Sequence, residues 1–227
     1  MQQALYHPVH GYYASGRAAI GKRGDYFTSV SVGALFGQLL AAQFAQVWEH
    51  LGKIDNFTIV EQGAHHGEFA CDVLEFTRER HAEFFAALCY RIVEPFPILQ
   101  DRQSQALAAF GDKVEWVKSL APFVGVHFSN ELLDAMPVNL RGNRVGLAGD
   151  EFVFVECPDD LETKTNQAAL DWIDDVAANL ERGFVITIDY GFARSAFRES
   201  LQVRAQHRYL DSPFQQIGHA DITMHIN

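Results

Sequence analysis

A glycine-containing turn between an apolar run and a helix-like segment constrains the fold of this chain more than any other feature. The apolar run covers residues 57–60, the turn EQGAHHG covers 61–67, and the helix-like segment covers 68–80. A strand, a tight glycine turn and a helix, in this order, form the first unit of a nucleotide-binding α/β domain. Gly63 lets the chain turn sharply and bring backbone N–H groups near a ligand, and Gly67 lets the helix pack closely on the strand.

The second apolar run fits the same unit, although the turn departs from the usual pattern. Residues 90–93 end at Glu94, and an acid at the tip of the second strand can accept hydrogen bonds from a ribose diol. The usual turn has three glycines, and His65 stands where the middle one is expected. From these residues alone, a cofactor site and a plain strand-to-helix turn in a sheet protein both remain open.

Strand-like runs alternate with helical periodicity along most of the chain. A first helix is predicted after Ser31, its N-cap, and before Gly52, its C-terminal stop. Beyond it we predict strands at 57–61, 90–94, 114–117, 124–129, 152–156 and 184–189, and helices at 68–80, 98–110 and 167–182. This order indicates an α/β fold, a mostly parallel sheet with helices on both faces. The polar segment 141–166 is expected to leave the sheet as a hairpin or loop.

Length and charge narrow the class of protein. With 227 residues, 48% of them hydrophobic, the chain can form one full α/β core. We divide it into an N-terminal segment and helix packed on the core, at 1–55, and the main domain at 56–227. A net charge of −11 disfavours a nucleic-acid partner. It suits a cationic cofactor or a basic protein segment, although solubility explains it equally well.

Cysteines, apolar runs and histidines argue against several further classes. The three cysteines form no C-x-x-C pair, which disfavours a disulfide framework or zinc site and favours a reducing, cytoplasmic location. No membrane span, signal peptide or transit segment is expected. Adjacent His65 and His66 on a turn are expected to point in different directions, and no third ligand is apparent, so no metal site is predicted.

Polar groups end four of the predicted strands, at the edge where parallel sheets bind their ligands. They are Glu61, Glu94, Asn130 with Glu131, and Asp189. Each could be a helix cap or a turn residue, which is the commoner role. Together they predict a site that holds positive charge.

Several blocks of this sequence resemble the MidA-like methyltransferase family, which includes the mitochondrial protein-arginine methyltransferase required for respiratory complex I assembly. The blocks are HGYY at 10–13, GDYFTS at 24–29, Phe36-Gly37, VEQG at 60–63 through Gly67, IVEP at 92–95 with Leu99 and Gln103, SNELLDAMPV at 129–138, IDYG at 188–191 and 218–225. The most specific is SNELLDAMPV, which is close to the family's N-E-x-x-D-A-x-P-V. In this order the blocks identify the chain as a member of the family.

The resemblance implies a Rossmann-like class I methyltransferase fold that binds S-adenosylmethionine and methylates an arginine nitrogen of a protein. A respiratory-complex subunit is the suggested protein substrate. The implied cofactor-binding residues are Glu61, Gly63, His65, Gly67 and Glu94, with Glu94 at the ribose.

The resemblance also implies catalytic and substrate-side residues. The catalytic candidates are Asn130, Glu131 and Asp134; a carboxylate such as Glu131 can hold a planar guanidinium through two hydrogen bonds, and Asp134 lies one turn later. The substrate-side candidates are Asp25, Thr28, Ser29, Asp189, Asp221 and His225. Plainer roles stay open as well: a helix-dipole partner for Glu61, helix caps for Glu131 and Asp189, and a structural histidine at position 225.

Departures from the family pattern keep other functions open. His65 replaces the middle glycine, and Gln62 replaces an apolar residue. If the turn needs a glycine-only conformation, His65 costs about 1–3 kcal/mol, and a non-catalytic assembly or scaffold protein becomes the alternative. A nicotinamide-dependent oxidoreductase is the third hypothesis, and the broken three-glycine pattern argues against it. The family's chains are longer, so we expect a truncated C-terminus with an exposed sheet edge near Asn227.

Overall fold

The computed structural model of the chain describes residues 1–18, 30, 33–158, 166–192 and 201–226. Its helices are α1 (Gln2–Tyr6), α2 (Leu35–His50), α3 (Glu68–Arg80), α4 (Ala82–Ala87), α5 (Pro97–Ala106) and α6 (Gln167–Asn179), with a 3-10 helix at Ala108–Phe110. Its strands are β1 (Phe57–Gln62), β2 (Leu88–Val93), β3 (Val114–Val117), β4 (Phe123–Asn130), β5 (Asn143–Ala148), β6 (Glu151–Glu156), β7 (Leu180–Ile188), β8 (Leu201–Ala205), β9 (Arg208–Tyr209) and β10 (Asp221–Met224). No helix within these ranges is both long and apolar enough to cross a membrane.

Five parallel strands form the central sheet, in the order β3-β2-β1-β4-β7. β1 lies in the middle, where Glu61 pairs with Ile92 of β2 on one side and with Phe128 of β4 on the other. All residues of β1 except Gln62 are buried, as expected of an apolar central strand. The predicted parallel sheet, with the strand of Glu61 at its centre and the strand before Glu94 beside it, is confirmed.

Helices cover both faces of the central sheet. On one face, Phe44 of α2 and Phe69 of α3 contact Phe128 of β4, with ring centroids 5.9 and 4.2 Å apart. On the other face, the Trp172 ring of α6 meets the His127 ring of β4 edge-on at 5.4 Å. Because successive side chains of a strand point to opposite faces, these contacts place helices on both sides, as predicted.

The predicted C-terminal stop of α2 and the predicted bounds of α3 agree with the structure. α3 covers the predicted residues 68–80. Gly52 follows the end of α2 in the left-handed conformation, with φ 91°, as a C-terminal stop does. The predicted N-cap Ser31 lies outside the described residues. Ala34 precedes α2 and makes no side-chain capping bond.

The segment before β7 departs from the prediction in one respect. β5 and β6 pair as an antiparallel hairpin apart from the central sheet, as expected for 141–166. The predicted helix at 167–182 is wrong at its end, because α6 stops at Asn179. Leu180 already pairs with Phe123 of β4, so the last predicted helical residues belong to the sheet.

A small antiparallel sheet, which the sequence did not predict, packs against the N-terminal segment. Its strand order is β10-β8-β9. Leu5 of α1, and Tyr12 in the segment after α1, form an apolar cluster with Val203 and Ile222 of this sheet. The Tyr6 hydroxyl donates a hydrogen bond to the carbonyl oxygen of Ala135 at 2.9 Å. This small sheet and α1 therefore lie at the carboxyl edge of the central sheet, where a ligand is expected.

Candidate active site

A cleft of about 680 Å³ lies at the carboxyl ends of β1, β2 and β4. Residues from three strand ends and from the glycine turn line it: Glu61, Gly63, His65, Glu94, Asn130 and Glu131. These were predicted from the sequence as cofactor or catalytic residues, and the fold brings them to one place. We call this cavity the cofactor cleft.

The turn after β1 needs glycine at two positions. Gly63 and Gly67 have φ values of 82° and 88°, which side chains rarely adopt. A Cβ on Gly63 would lie 3.3 Å from a methyl group of Leu132, and one on Gly67 would lie 3.4 Å from Leu107. Both glycines therefore serve the turn's backbone and its close packing. Gly67 precedes α3 directly, but it lies outside the cofactor cleft lining.

The Glu61 carboxyl group is buried at the floor of the cofactor cleft. The Tyr90 hydroxyl of β2 donates a 2.7 Å hydrogen bond to it. Burial raises the pKa of Glu61 to about 8; the bond from Tyr90 opposes the rise and the nearby Glu68 charge adds to it. At neutral pH Glu61 is therefore largely protonated in this environment.

Two donors hold the Glu94 carboxylate in a fixed orientation. One oxygen accepts from the Phe96 backbone N–H at 3.0 Å, and the other accepts from the Gln103 side-chain amide at 3.1 Å. Burial raises the pKa of Glu94, and these two bonds oppose the rise. Gln103 also donates to the His65 carbonyl oxygen at 2.9 Å and accepts from the Trp116 indole at 3.0 Å. Gln103, which the resemblance placed with the ribose-binding strand end, thus links Glu94 to the turn.

His65 adopts a backbone conformation that is open to side chains. Its φ of 47° lies in the left-handed helical region, where histidine occurs more often than most residues. The prediction that His65 and His66 point in different directions is wrong, because their rings stack with centroids 3.7 Å apart. Glu68 lies 3.9 Å from Nδ1 of His65 and 3.8 Å from Nδ1 of His66, so a third potential ligand is present after all.

The surroundings of His66 nevertheless disfavour a metal ion here. Nη1 of Arg102 lies 2.9 Å from Nε2 of His66, and a guanidinium can only donate. Burial lowers the pKa of His66 to about 4, with His65 and Arg102 adding to the effect and Glu68 opposing it. The neutral ring therefore carries its proton on Nδ1, which has no lone pair left for a metal. The absence of a metal stays a prediction.

Asn130 and Glu131 end β4 beside the cofactor cleft. The side-chain oxygen of Asn130, Oδ1, is buried and has no hydrogen-bond partner among the described residues. Its amide donates a long bond, 3.4 Å, to Glu131. Glu131 has a φ of 50°, and its backbone N–H donates to the Ile188 carbonyl oxygen at 2.8 Å. Asp189 accepts bonds from the Leu133 and Tyr190 backbone N–H groups, both at 2.8 Å; no helix begins at Leu133, so this carboxylate fixes the loop after β4.

A second cavity, of about 170 Å³, lies next to the cofactor cleft. Its polar lining comes from the N-terminal segment, from the loops after β4 and β7, from β8, and from β10 with the residue after it: Tyr13, Glu131, Asp134, Tyr190, Gln202, Arg204, Asp221, Thr223 and His225. Asp134 and Asp221 are buried, and the Tyr13 hydroxyl donates to Asp221 at 2.6 Å. We call this cavity the acidic pocket. Tyr13 and Glu131 line both cavities, which places them at the junction.

The remaining substrate-side candidates divide into two groups. His225 lines the acidic pocket, where Nε2 lies 3.3 Å from the Gln202 amide nitrogen and the ring meets Phe192 edge-on. Asp25, Thr28 and Ser29 lie outside the described residues. The roles assigned to all site residues stay predictions.

Comparisons with known proteins agree with this arrangement. A family model described as "Putative S-adenosyl-L-methionine-dependent methyltransferase" matches residues 39–147 and 151–227, and the chain belongs to this family. A Burkholderia thailandensis crystal structure bound to S-adenosyl-homocysteine superposes with a TM-score of 0.85 at 30% identity. It covers 99% of this chain and 67% of that one, and it confirms the predicted methyltransferase fold.

Two curated relatives match parts of the chain. The protein arginine methyltransferase NDUFAF7 homolog, mitochondrial, of Drosophila melanogaster is 27% identical over 164 residues, which cover 61% of this chain and 36% of the relative. The protein arginine methyltransferase NDUFAF7, mitochondrial, of Mus musculus is 31% identical over 109 residues, which cover 48% and 25%. This chain therefore matches only about a third or less of the length of these relatives.

Proposed function

We propose that this chain transfers the methyl group of S-adenosylmethionine to an arginine nitrogen of a protein. The observation that carries the proposal is the meeting of the glycine turn, Glu94 and Asn130 in one cleft, with Glu131 between that cleft and an acidic pocket. The family and the neighbour bound to S-adenosyl-homocysteine support the cofactor. The names of the curated relatives support arginine as the acceptor.

Polar groups of the cofactor cleft fit this cofactor. Each oxygen of the Glu94 carboxylate accepts one bond from the protein and has a second lone pair for a ribose hydroxyl. The buried side-chain oxygen of Asn130 can accept a hydrogen bond from the ammonium group of the cofactor's methionine moiety. Nε2 of His65 is also buried without a partner among the described residues. Because buried polar atoms normally have partners, these two atoms favour a bound polar ligand.

The chain's own task is to align the acceptor. S-adenosylmethionine, when bound, supplies a methyl group on a positively charged sulfur, which is a strong methyl donor. Correct placement of the nitrogen then removes much of the remaining barrier. The Glu131 carboxylate, at the junction of the two cavities, can bind a guanidinium through two parallel hydrogen bonds. The nitrogen can lose its proton after the transfer, so no strongly basic residue is required.

A non-catalytic assembly protein is the second candidate function. The observation that favours it is His65, which stands in the place of a glycine and lines the cofactor cleft. Its left-handed backbone costs about 1–2 kcal/mol without a glycine. A loss of cofactor affinity large enough to abolish catalysis would leave a folded protein that binds only partners. The two candidates therefore differ in whether the cofactor cleft binds its ligand.

Calorimetric titration with S-adenosyl-homocysteine distinguishes them. We expect the chain to bind, and we expect Glu94→Gln to bind at least tenfold more weakly. The glutamine NH2 group replaces one carboxylate oxygen. It therefore faces a donor, either the Phe96 N–H or the Gln103 amide, and it cannot accept a hydrogen bond from the ribose. This loss costs about 1–3 kcal/mol. Glu49→Gln, at an exposed position of α2, is the matched control and should bind normally. A folded chain that does not bind would favour the assembly protein.

Transfer itself is measured with labelled S-adenosylmethionine and a candidate protein substrate, first a respiratory-complex subunit. Mass spectrometry should locate the label on an arginine side chain. Glu131→Gln should lower the transfer rate while leaving the affinity for S-adenosyl-homocysteine unchanged within about threefold, less than 1 kcal/mol. Label on another residue type would contradict the arginine assignment.

A further inference from the structure

The acidic pocket contains a carboxyl group that the described residues leave without a partner. Asp134 is only 8% exposed, yet none of them donates a hydrogen bond to its carboxylate. Its backbone makes the bonds instead: the carbonyl oxygen accepts from the Met224 N–H at 2.8 Å, and the N–H donates to the Asp189 carboxylate. The carboxylate oxygens open onto the acidic pocket, so water or a ligand must supply their hydrogen bonds. An unpaired carboxyl group that lines a cavity therefore points to a ligand with hydrogen-bond donors.

The charges of the pocket indicate that this ligand is a cation. Glu131 and Asp221 line the pocket with Asp134, and Arg204 is the cation of its described lining. Nη2 of Arg204 donates to the Tyr209 hydroxyl at 2.8 Å and to the Gln202 side-chain oxygen, whereas its Nε is buried without a partner among the described residues. Arg204 makes no ion pair with Asp134. Three acidic side chains therefore face one cation that does not bind the unpaired carboxylate.

We propose that the acidic pocket is the acceptor subsite for the guanidinium group of an arginine residue, with Asp134 and Asp221 as its binding carboxylates. The inference rests on the proposed methyl transfer and names the groups that select the acceptor. A guanidinium presents five N–H donors in one plane, which several carboxylates can bind from different sides. An ammonium offers three donors from a single point. Because Glu131 lines both cavities, an acceptor nitrogen held here lies next to the cofactor cleft.

Binding of a cation in this pocket should release a proton. Burial raises the pKa of Asp134 to about 8; the charges of Asp189, Asp221 and Glu131 contribute to the rise, and Arg204 opposes it. At pH 7 the empty pocket therefore holds about one proton on Asp134. A guanidinium beside the carboxyl group lowers its pKa, and the proton leaves for solvent.

The proton released by Asp134 must be distinguished from protons that other titratable groups around the pocket could release. Burial raises the pKa of Tyr6, and the charge of Glu131 raises that of Tyr190, so both stay protonated at pH 7. The Tyr13 hydroxyl is the donor in its bond to Asp221. His225 also lines the pocket, and histidine is a side chain that can exchange a proton near pH 7. A His225→Asn variant therefore belongs in the experiment.

The test is calorimetric titration of the full chain, saturated with S-adenosyl-homocysteine, with three blocked tripeptides that carry arginine, lysine or citrulline between two glycines. We expect the arginine peptide to bind at least tenfold more tightly than the other two. Asp134→Asn and Asp221→Asn should each weaken it at least tenfold. Repeating the titration at pH 7 in two buffers of different ionisation enthalpy should show that binding releases about one proton. The His225→Asn variant should still release this proton, and the Asp134→Asn variant should not.

The variants distinguish a failure of the subsite from a failure of folding and from a failure of the proposed function. Asn at position 134 resembles the protonated carboxyl group that is present at pH 7, so folding should be preserved. Its affinity for S-adenosyl-homocysteine should stay within about twofold, because Asp134 does not line the cofactor cleft. Failure of the unaltered chain to bind S-adenosyl-homocysteine would defeat the proposed function. Normal cofactor binding with undiminished arginine-peptide binding in both Asn variants, or equal binding of the lysine peptide, would overturn the subsite alone.

Discussion

Glu61→Gln should change how the stability of this chain depends on pH. Glu61 is buried under the cofactor cleft and accepts a 2.7 Å hydrogen bond from the Tyr90 hydroxyl. A glutamine has nearly the same shape, and its carbonyl oxygen can accept the same bond. The substitution therefore removes a titrating group while it preserves the packing and the contact with Tyr90.

The sign and size of the effect follow from the two pKa values of this carboxyl group. Burial raises the pKa of Glu61 from 4.5 to about 8 in the folded chain. Between these values the folded chain binds more protons than the unfolded chain, so stability is highest below the lower pKa and is lost as pH rises to the upper one. At about 1.4 kcal/mol per pH unit, the loss is on the order of 5 kcal/mol. Asp134, with a pKa raised to about 8, acts in the same direction and remains in the variant.

Urea unfolding followed by tryptophan fluorescence, at four pH values from 5 to 8.5, measures this effect. The free energy of unfolding of Glu61→Gln, minus that of the unaltered chain, should rise by about 1.4 kcal/mol per pH unit until pH 8. Asp134→Asn is the matched comparison, because it should remove only the part of the pH dependence that comes from Asp134. Parallel curves for the unaltered chain and Glu61→Gln would show that Glu61 is ionised in the folded chain at neutral pH, and the argument from burial would be wrong.

Two further predictions concern backbone conformation. His65→Gly should change the affinity for S-adenosyl-homocysteine by less than about threefold in calorimetry, because φ 47° is open to histidine and the turn is held through the His65 carbonyl oxygen; a tenfold gain, about 1.4 kcal/mol, would show that the imidazole occupies space the cofactor needs. Gly125→Ala should destabilise the chain by more than about 4 kcal/mol in urea unfolding, because the new Cβ would lie 2.1 Å from the Thr58 carbonyl oxygen. Gly149→Ala, with φ 63° and no atom within 4 Å of the new Cβ, should cost only about 1–2 kcal/mol, and equal losses in the two variants would contradict the reasoning.

The first half of the central sheet could be predicted because its signals are local. The apolar run of β1, the glycines of the turn and the periodicity of α3 all lie within residues 57–80, and the structure follows them closely. Parallel strands also bring their carboxyl ends to one edge, so acids at strand ends could be placed together before their distances were known. Glu61, Glu94 and Asn130 line one cleft for this reason.

The C-terminal part of the site could not be predicted from local pattern. β8, β9 and β10 are short, and the apolar residues of β8 and β10 become a core only through contact with α1 at the other end of the chain. The family resemblance drew attention to Asp221 and His225, but not to Arg204 or to the cavity between them. Gln103 belongs to a block that the resemblance did include, but no local pattern shows that its side chain bonds three partners from separate elements: the His65 carbonyl oxygen, the Glu94 carboxylate and the Trp116 indole.

Glu131 connects these two parts, and its backbone suggests that its position matters for function. A non-glycine residue with φ 50° costs about 1–2 kcal/mol, and such conformations persist where the surrounding structure holds them. Here the holding contact is the bond from its N–H to the Ile188 carbonyl oxygen, which continues the pairing of β4 with β7. An extended residue at this point would carry the chain onward along the strand direction. The left-handed residue instead turns the chain at the end of β4, where its carboxylate lines both the cofactor cleft and the acidic pocket. A glycine would relieve the strain, but it would remove the carboxylate that the proposed acceptor-orienting role requires.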